Sequence, residues 1–449
     1  MKNFFGKFSE VLENKLMPFA DKVGKQRHLS AVKDGMLAYV PFTIIASIFL
    51  IIAYIPIPVY QNLITDILKV ESADVWQGKL LYVSNATMDV GGLYVLIAAT
   101  YSLAKSYNIN KLQSVLTALG CFLIVTPYVA GEGGNMLSIT RVGAQAMFLA
   151  IIVSIVSVEI YRRVEQKGLT IKMPSAVPPA VAKPFESIIP ALLSISFFFI
   201  LRLVFEIGLK SDLFTAINLI IGKPLLLLGG TLPGMVVSLL FEQLLWFFGL
   251  HGGSIVQGAM TPIWTVLEDA NRLASVAGQV PPNIISLSFR NSFASIGTVG
   301  SIIALVIVAK SKQYKEIGKV AGVPYAFNIG EPTLFGIPLM LNPIYFVPLV
   351  IAPSVSAIIS YIAFATKLVP LPTGLAQLPW TTPPIVSGYL VTGSIKGALL
   401  QVVLLVVVTL IWLPFVKMAD RNLCKQEAVS EAKKNQIKNE NLQVTNINL

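Results

Sequence analysis

The sequence predicts an all-α membrane protein with about ten transmembrane helices. Of its 449 residues, 55% are hydrophobic and 13% are charged, about half the charged fraction of an ordinary soluble domain. Lipid can cover this much apolar surface, whereas the core of a soluble protein cannot. Stretches without a charged residue that are long enough to cross a bilayer recur at 35–65, 112–131, 142–158, 291–309, 332–366 and 397–416.

The spans can be placed in order along the chain. Their predicted bounds are 31–56, 80–105, 113–131, 141–161, 184–207, 232–251, 292–310, 341–366 and 393–417. Lys and Arg cluster beside span ends, near residues 105–111, 162–172, 310–319 and 417–425. Because basic loops face the cytoplasm, the net charge of +11 indicates orientation in the membrane, not affinity for nucleic acid.

This orientation leaves one crossing unaccounted for. Spans 232–251 and 292–310 must both end inside, so the chain has to cross outward between them. The segment 252–267 is rich in Gly and contains Pro262, a composition typical of broken or re-entrant elements at transport sites. Counting it gives ten crossings with both termini in the cytoplasm.

The chain divides into four parts. Residues 1–28 are predicted to form an amphipathic helix on the cytoplasmic surface, a disordered basic tail being the alternative. Residues 29–230 form a transmembrane scaffold. Residues 231–418, which hold the irregular stretches 322–338 and 371–386, form the half that binds and moves substrate. Residues 419–449 form a polar, poorly ordered cytoplasmic tail.

Two ionisable residues are the strongest site candidates, because such residues within apolar segments are costly to bury. Glu331 lies between Gly330 and Pro332, where non-helical backbone can aim the carboxylate at sugar hydroxyls. His251 precedes two glycines that end a long apolar helix. The alternatives are a surface loop for Glu331 and a helix cap for His251.

Two tryptophans belong with these candidates. Trp246 lies five residues before His251, and Trp380 lies in the irregular string AQLPWTTPP. An aromatic ring can cover the apolar face of a pyranose while polar groups bind its hydroxyls. The alternative is the aromatic belt at the membrane interface.

Four further residues are weaker candidates for substrate binding. Asn135 follows two glycines and is also a typical turn residue. Arg290 and Asn291 lie between two predicted spans, where they bind substrate or cap a helix. Asp89 lies within a span, where it pairs with a buried donor or lines the substrate path.

Glu242 and Arg202 are a further charged pair within apolar segments. We expect them to form an ion pair inside the membrane.

Three sequence strings resemble a known family. FNIGEPTLFGIP, LWFFGLHGG and LAQLPW together closely resemble the membrane-embedded IIC component of bacterial sugar phosphotransferase systems, in the lactose/cellobiose/diacetylchitobiose family. The resemblance covers nearly the whole chain.

The resemblance implies a homodimer of ten transmembrane helices and two re-entrant hairpins in each subunit. It implies that the N-terminal half dimerises and that the C-terminal half moves a bound disaccharide by an elevator-like shift. The phosphoryl group then comes from a phosphocysteine on a soluble IIB partner, charged by IIA, to the sugar 6-hydroxyl. Glu331 and His251 lie nearest that hydroxyl, and Trp246 and Trp380 contact the sugar rings. No metal or cofactor is expected.

Two other functional classes remain open. In a proton-coupled secondary sugar transporter, Glu331 and His251 form a proton relay. A channel or a receptor without transport activity predicts that Glu331→Gln leaves sugar uptake unchanged.

Overall fold

The computed structural model describes residues 26–55, 57–131, 134–174, 177–328, 337, 339 and 342–447. Residues 1–25, most of the segment 1–28 that was predicted to be amphipathic, therefore lie outside the described residues.

The first half of the described chain is helical apart from one small hairpin. Its helices are α1 (Arg27–Ala53), α2 (Pro58–Leu68), α3 (Ala73–Thr87), α4 (Gly91–Ser106), α5 (Lys111–Val125), α6 (Met147–Gln166), α7 (Pro179–Glu186), α8 (Ile188–Leu203), α9 (Leu213–Ile217) and α10 (Lys223–Gly229). The hairpin pairs β1 (Val129–Gly131) with β2 (Gly134–Met136) in antiparallel register, with Ala130 opposite Asn135. It occupies the end of the span predicted at 113–131, which is helical only as far as Val125.

The second half continues with longer helices. They are α11 (Leu232–Phe247), α12 (Gly252–Val276), α13 (Leu287–Phe289), α14 (Gly300–Val308), α15 (Lys312–Ala326), α16 (Pro343–Ala365), α17 (Val386–Thr392) and α18 (Ile395–Ile447). A π-helical turn, Arg290–Ala294, and a 3₁₀ turn, Ser295–Thr298, join α13 to α14. These four pieces make one helical span, Leu287–Val308.

The helices confirm an all-α membrane fold. Within the described residues, 7 helical spans are long and apolar enough to cross a membrane, or up to 8 if one bent pair is counted as a span. Two of them, Ala73–Ser106 and Val181–Gly208, extend beyond the predicted spans 80–105 and 184–207. The count of ten crossings stays a prediction.

The bent pair joins α10 to α11 at an angle of 77°. Gly230 and Thr231 separate the two helices, and the Thr231 side chain accepts a hydrogen bond from the backbone amide of Gly234 at 3.3 Å. Pro233 follows within the first turn of α11, where its missing N–H removes no helical hydrogen bond. These residues start a new helix in a new direction.

The segment 252–267 is not broken, which corrects that part of the prediction; its outward crossing stays a prediction. It forms the first part of α12, a regular helix of 25 residues with Pro262 inside. The indole of Trp264 donates to the carbonyl of Gly229 at 3.1 Å, and Ile263 lies against the same glycine. This packing holds the helix together although Pro262 removes one backbone hydrogen bond.

Helices α11 and α12 form an antiparallel hairpin. A Cβ atom at Gly252 would lie 2.1 Å from the carbonyl oxygen of Glu242, and at the other end Trp264 reaches Gly229. The reversal lies between Phe247 and Gly252. A glycine is required where the two backbones approach this closely.

The buried apolar side chains form two large clusters. One contains residues from Met235 to Ala419, all in the second half. The other contains residues from Leu96 to Ile263, most of them in the first half. Met260 of α12 packs against both clusters, so this helix lies where the two halves meet.

The tail that was predicted to be poorly ordered is helical, which corrects that expectation. It continues α18 to Ile447, and its Lys, Glu, Ala and Gln residues favour helix. The Asp420 carboxylate accepts hydrogen bonds from the amides of Lys310 and Ser311, both at 3.0 Å. The Lys312 side chain forms an ion pair with Glu431. The polar part of α18 is therefore held against the start of α15.

Candidate functional site

His251 lies at the reversal between α11 and α12 and caps α12. Its Nδ1 accepts a hydrogen bond from the backbone amide of Ser254 at 3.1 Å. The ring centroids of His251 and the half-buried Trp246 lie 4.4 Å apart at an interplanar angle of 47°. The His251 side chain is exposed, so the structure places an imidazole and an indole together where a ligand can reach them.

A buried ion pair lies beside this reversal. Nη2 of Arg290 is 2.7 Å and 2.8 Å from the two carboxylate oxygens of Glu242, and both side chains are 7% exposed. Arg290 starts the π-helical turn of the span Leu287–Val308, a local irregularity frequent at functional sites.

The expected pair of Glu242 with Arg202 is wrong. Arg202 instead bonds Glu206 four residues further along, with 2.8 Å between Nε and Oε1, and donates to the carbonyl of Ile124 at 2.7 Å. Arg202 has a partner four residues further along the same helical span, a spacing at which side chains meet. Glu242 instead pairs with Arg290, which comes from another element.

Two amide side chains complete the surroundings of Arg290. Its Nη1 donates to Oδ1 of Asn291 at 3.2 Å. With the Gln257 amide oriented to satisfy its neighbours, the Gln257 oxygen accepts from both Nη atoms, at 3.1 Å and 2.8 Å. Within the described chain, the buried Nε of Arg290 has no hydrogen-bond partner.

Gly253 connects these groups to His251. A Cβ atom there would lie 3.6 Å from Glu242 Oε1 and 3.7 Å from His251 Cε1. The positive and negative charges of the ion pair offset one another, and hydrogen-bonding amides surround them. We call Trp246, His251, Glu242, Arg290 and Asn291 the hairpin cluster; its donors and acceptors suit a neutral, hydroxyl-rich ligand.

Trp380 lies in the stretch 371–386, which is irregular until α17 begins at Val386. The residue is 51% exposed, and its carbonyl accepts a hydrogen bond from Nδ2 of Asn328 at 3.1 Å. Asn328 precedes Glu331 by three residues in the sequence. Glu331 itself lies outside the described residues.

Asp89 takes part in a second buried ion-pair cluster. It pairs with Arg272 of α12, which also bonds Asp269 at 2.9 Å and Ser84 at 3.1 Å. Arg272 is 20 residues beyond the start of α12, so this cluster is about 30 Å along the helix from His251. The structure therefore does not bring Asp89 into the hairpin cluster.

Sequence reasoning did not single out Arg272 and Asp269. The signal that could have identified them is their charge between two apolar spans. They lie just beyond the segment 252–267, which was predicted to be the crossing.

Asn135 is on β2, opposite Ala130, and its side chain is exposed. It lies in a separate element from the hairpin cluster. Within the described residues, no group of three or more His, Cys, Asp or Glu residues is arranged to hold a metal ion.

Comparison with known proteins identifies the family. Residues 33–353 match the family model described as Phosphotransferase system, EIIC. The chain is 39% identical over 438 residues to the lichenan permease IIC component of Bacillus subtilis, covering 94% of this chain and 95% of that protein. It is 38% identical over 440 residues to the cellobiose-specific EIIC component of Geobacillus stearothermophilus, covering 94% and 96%.

A solved structure has the same fold. The crystal structure of the transporter ChbC, the IIC component of an N,N'-diacetylchitobiose-specific phosphotransferase system, superimposes with a TM-score of 0.88 at 36% identity and covers 93% of this chain and 99% of that chain. These likenesses extend over nearly the whole chain, confirming the resemblance carried by the three sequence strings. The chain therefore belongs to the EIIC family of the phosphotransferase system: it is an integral membrane sugar permease component that works with a IIB partner.

Proposed function

We propose that this chain binds a β-linked disaccharide, of the cellobiose, lactose or diacetylchitobiose type, and carries it across the bacterial cytoplasmic membrane. A separate IIB protein then phosphorylates the 6-hydroxyl of the sugar. The observation that carries the proposal is the hairpin cluster, which places Trp246, His251 and Arg290 at one reversal between two helices. Relatives named for cellobiose and for oligo-beta-mannoside, at 38% and 36% identity, support the substrate class.

The cluster offers the two kinds of contact that a sugar needs. The indole of Trp246 covers an apolar ring face, and Trp380 covers a second ring. The imidazole of His251 exchanges hydrogen bonds with hydroxyls, and Asn291 and Arg290 add an amide and a guanidinium. Asn135 and Asp89 lie away from the hairpin cluster, so we do not include them among the proposed contacts to the sugar.

Phosphoryl transfer needs positioning more than covalent chemistry from the permease. The P–S bond of the IIB phosphocysteine breaks while a P–O bond forms to the sugar 6-oxygen. The hydroxyl proton passes to an acceptor, a role that we assign to Glu331 with the assistance of His251. The thiolate stays on IIB, where IIA restores the phosphoryl group.

We propose that the two halves of the chain meet near residue 230. The two apolar clusters, one from Met235 onward and one mostly before that residue, support this boundary. In this arrangement residues 29–230 form the dimer interface of a homodimer, and residues 231–418 move the sugar in an elevator-like shift. Ten crossings, two re-entrant hairpins and cytoplasmic termini complete the arrangement.

The product of transport separates this function from proton-coupled transport, which membership of the EIIC family does not favour. Inverted membrane vesicles are unsuitable because their polarity is reversed, so right-side-out vesicles loaded with phosphoenolpyruvate and the soluble phosphotransferase proteins are used. We expect sugar phosphate to accumulate inside. Accumulation of free sugar driven by a proton gradient would overturn the proposal.

The substrate is tested by binding to the purified protein. Cellobiose, lactose and N,N'-diacetylchitobiose are compared by calorimetry, with sucrose as a control that lacks a β-1,4 linkage. We expect at least one of the three to bind at least tenfold more tightly than sucrose. Equal binding of all four sugars would contradict recognition of a β-linked disaccharide.

A further inference from the structure

A basic cavity of about 650 Å³ opens beside the ends of α5, α6 and α7, and its described lining residues are distinct from the hairpin cluster. Lys111, the first residue of α5, lines it together with Lys172 and Lys183. Lys172 follows α6 in the chain, and Lys183 is on α7. Three segments therefore contribute one lysine each to the lining of the same cavity. The Lys111 ammonium lies 5.9 Å from the centroid of the Tyr101 ring, and its flexible side chain can turn toward an anion in the cavity.

These lysines have no carboxylate partner in the described part of the chain, where no carboxylate oxygen lies within 4.0 Å of Lys111, Lys172 or Lys183. Two carboxylates, of Glu165 and Glu186, also line the cavity. The Glu165 carboxylate accepts a hydrogen bond from the backbone of Asn110. Three lysines and two glutamates thus line the cavity, and the lining is positive overall.

Exposed apolar residues lie in the basic lining and next to it in the chain. Leu112 lines the cavity and is 64% exposed. Leu169 and Ile171 are chain neighbours of the lining residues Thr170 and Lys172, and Phe185 and Ile188 are chain neighbours of Glu186 and Ser187; all four are exposed. A basic interior with an exposed apolar rim suits a ligand that has an anionic end and a hydrocarbon end.

The cavity lies at one level of the helical spans. It is next to the end of the span Ala144–Gln166 and the beginning of Val181–Gly208. That level corresponds to the boundary between hydrocarbon and water, on the side that the basic loops predict to be cytoplasmic. Basic pockets between transmembrane helices on this side bind lipid headgroups.

We propose that this cavity binds the phosphate-bearing headgroup of an anionic phospholipid. The phosphate oxygens accept hydrogen bonds from the three lysines, and the acyl chains lie against Leu112 and the neighbouring exposed apolar side chains. This site is independent of the sugar site, so its test does not depend on transport.

The test measures lipid binding to the full chain purified in neutral detergent, by native mass spectrometry with dioleoyl-phosphatidylglycerol and dioleoyl-phosphatidylethanolamine. We expect the anionic lipid to bind at least tenfold more tightly. The triple variant Lys111→Gln/Lys172→Gln/Lys183→Gln is expected to weaken its binding on the order of a hundredfold, because each lysine near an anionic headgroup contributes roughly fivefold. The corresponding Lys→Arg triple variant is expected to keep the binding.

The matched control removes the same charge elsewhere. Lys69, Lys79 and Lys210 are exposed and are outside the cavity. The variant Lys69→Gln/Lys79→Gln/Lys210→Gln is expected to bind phosphatidylglycerol as the unaltered chain does. An equal loss in both triple variants would show a nonspecific charge effect and overturn the proposal.

Two further outcomes would also overturn it. Equal binding of phosphatidylethanolamine would show that the net charge of the headgroup does not matter. Binding of inorganic phosphate as tight as that of the lipid would show an ion site without a role for the acyl chains. Single Lys→Gln variants, each expected to lose severalfold, keep the test valid if the triple variant does not fold.

Discussion

His251 serves two groups at once. Its Nδ1 accepts a hydrogen bond from the amide of Ser254 and so caps α12, while its ring lies beside Trp246. Within the described residues, Nε2 has no hydrogen-bond partner, which leaves it available to a ligand hydroxyl. The structure confirms that His251 caps α12. Its role in sugar binding is a separate proposal, and a substitution that keeps the cap can test it.

Asparagine is the substitution that separates the two roles, because it is among the best helix-capping residues and lacks an imidazole. We expect His251→Asn to keep the thermal stability within a few tenths of a kcal/mol. We expect its rate of sugar phosphorylation to fall roughly 10²-fold or more if the imidazole assists proton transfer. His251→Ala is expected to lose the same activity and about 1 kcal/mol of stability as well. Unchanged activity in His251→Asn would show that His251 is only a cap.

Glu331 supplies the second residue-scale prediction. Replacing its carboxylate by an amide removes the charge-assisted hydrogen bonds that we assign to the sugar. We expect Glu331→Gln to weaken sugar binding roughly 10- to 100-fold and to abolish most uptake, as measured by calorimetry and by radiolabelled sugar accumulation. The control is Glu316→Gln, which changes an exposed partner of Lys319 and is expected to leave both measurements unchanged.

Arg272 allows a stability prediction. Its side chain is 3% exposed and pairs with both Asp89 and Asp269. Arg272→Met leaves the buried Asp269 and the partly buried Asp89 without their cation, so we expect a loss of about 3–5 kcal/mol and a clearly lower midpoint of thermal unfolding. Arg202→Met removes a half-buried arginine from an i,i+4 pair and from the Ile124 carbonyl, and it is expected to cost less, about 1–2 kcal/mol. Similar losses of stability in both variants would contradict the prediction that the burial of the ion pair determines the cost of removing its cation.

Sequence reasoning identified several of these residues but not their partners. His251, Arg290 and Asp89 stood out because polar groups within apolar segments are rare. The predicted partner of Glu242, Arg202, was wrong because ion pairs between elements depend on how the helices pack. Arg290 is 48 positions from Glu242, and no periodicity in the sequence connects the two.

At the scale of elements, the α11–α12 hairpin positions the site. The two helices meet where Gly252 lies against the backbone of Glu242. This contact sets the distance between the ion pair and His251. The bend of 77° between α10 and α11 sets the direction in which the hairpin leaves the first half.

The hairpin contact is tested by adding one methyl group. A Cβ atom at Gly252 would lie 2.1 Å from the Glu242 carbonyl oxygen, so the backbones must separate. We expect Gly252→Ala to cost about 1–3 kcal/mol and to weaken sugar binding. Gly78→Ala, within α3 and without any atom within 4 Å of the added Cβ, is expected to be neutral or stabilising by up to about 1 kcal/mol. Thermal unfolding of the two variants side by side decides the point.

The irregular segments show what a single sequence can indicate about elements. The stretch 371–386 was recognised correctly because Pro and Gly there coincide with an absence of helical structure. The same composition in 252–267 belongs to a helix, since Ile263 and Trp264 pack against Gly229. Composition reports the local preference of the backbone, and tertiary packing overrides it in the second case.

At the scale of the whole molecule, the distribution of basic residues predicts the orientation in the membrane. Lys172 lies on the predicted cytoplasmic side and Lys210 on the opposite side. In a Cys424→Ser background, where the remaining Cys121 is buried, we expect Lys210→Cys to react with an impermeant maleimide in intact cells. We expect Lys172→Cys to react only after the membrane is opened. The reverse pattern would contradict the orientation.

The membrane class was evident from composition because 55% hydrophobic residues exceed what a soluble core can bury. The number of crossings was not evident from composition, because it depends on how bent and amphipathic helices are placed relative to the membrane. The helix α12 illustrates this: it buries Glu268, Asp269 and Arg272 against protein, so hydropathy does not distinguish a crossing from a packed helix.

The helix α18 has a mechanical consequence. With 53 residues at 1.5 Å each, it is a rod of about 80 Å, roughly twice the thickness of a bilayer with its headgroups. About half of it therefore projects beyond the lipid, and its contacts with Lys310, Ser311 and Lys312 hold it to α15 near the membrane. A tilt of a few degrees at that support moves the free end by several ångströms. A small rotation of the second half therefore becomes a larger displacement at the far end of α18. A spectroscopic probe attached there would detect that displacement.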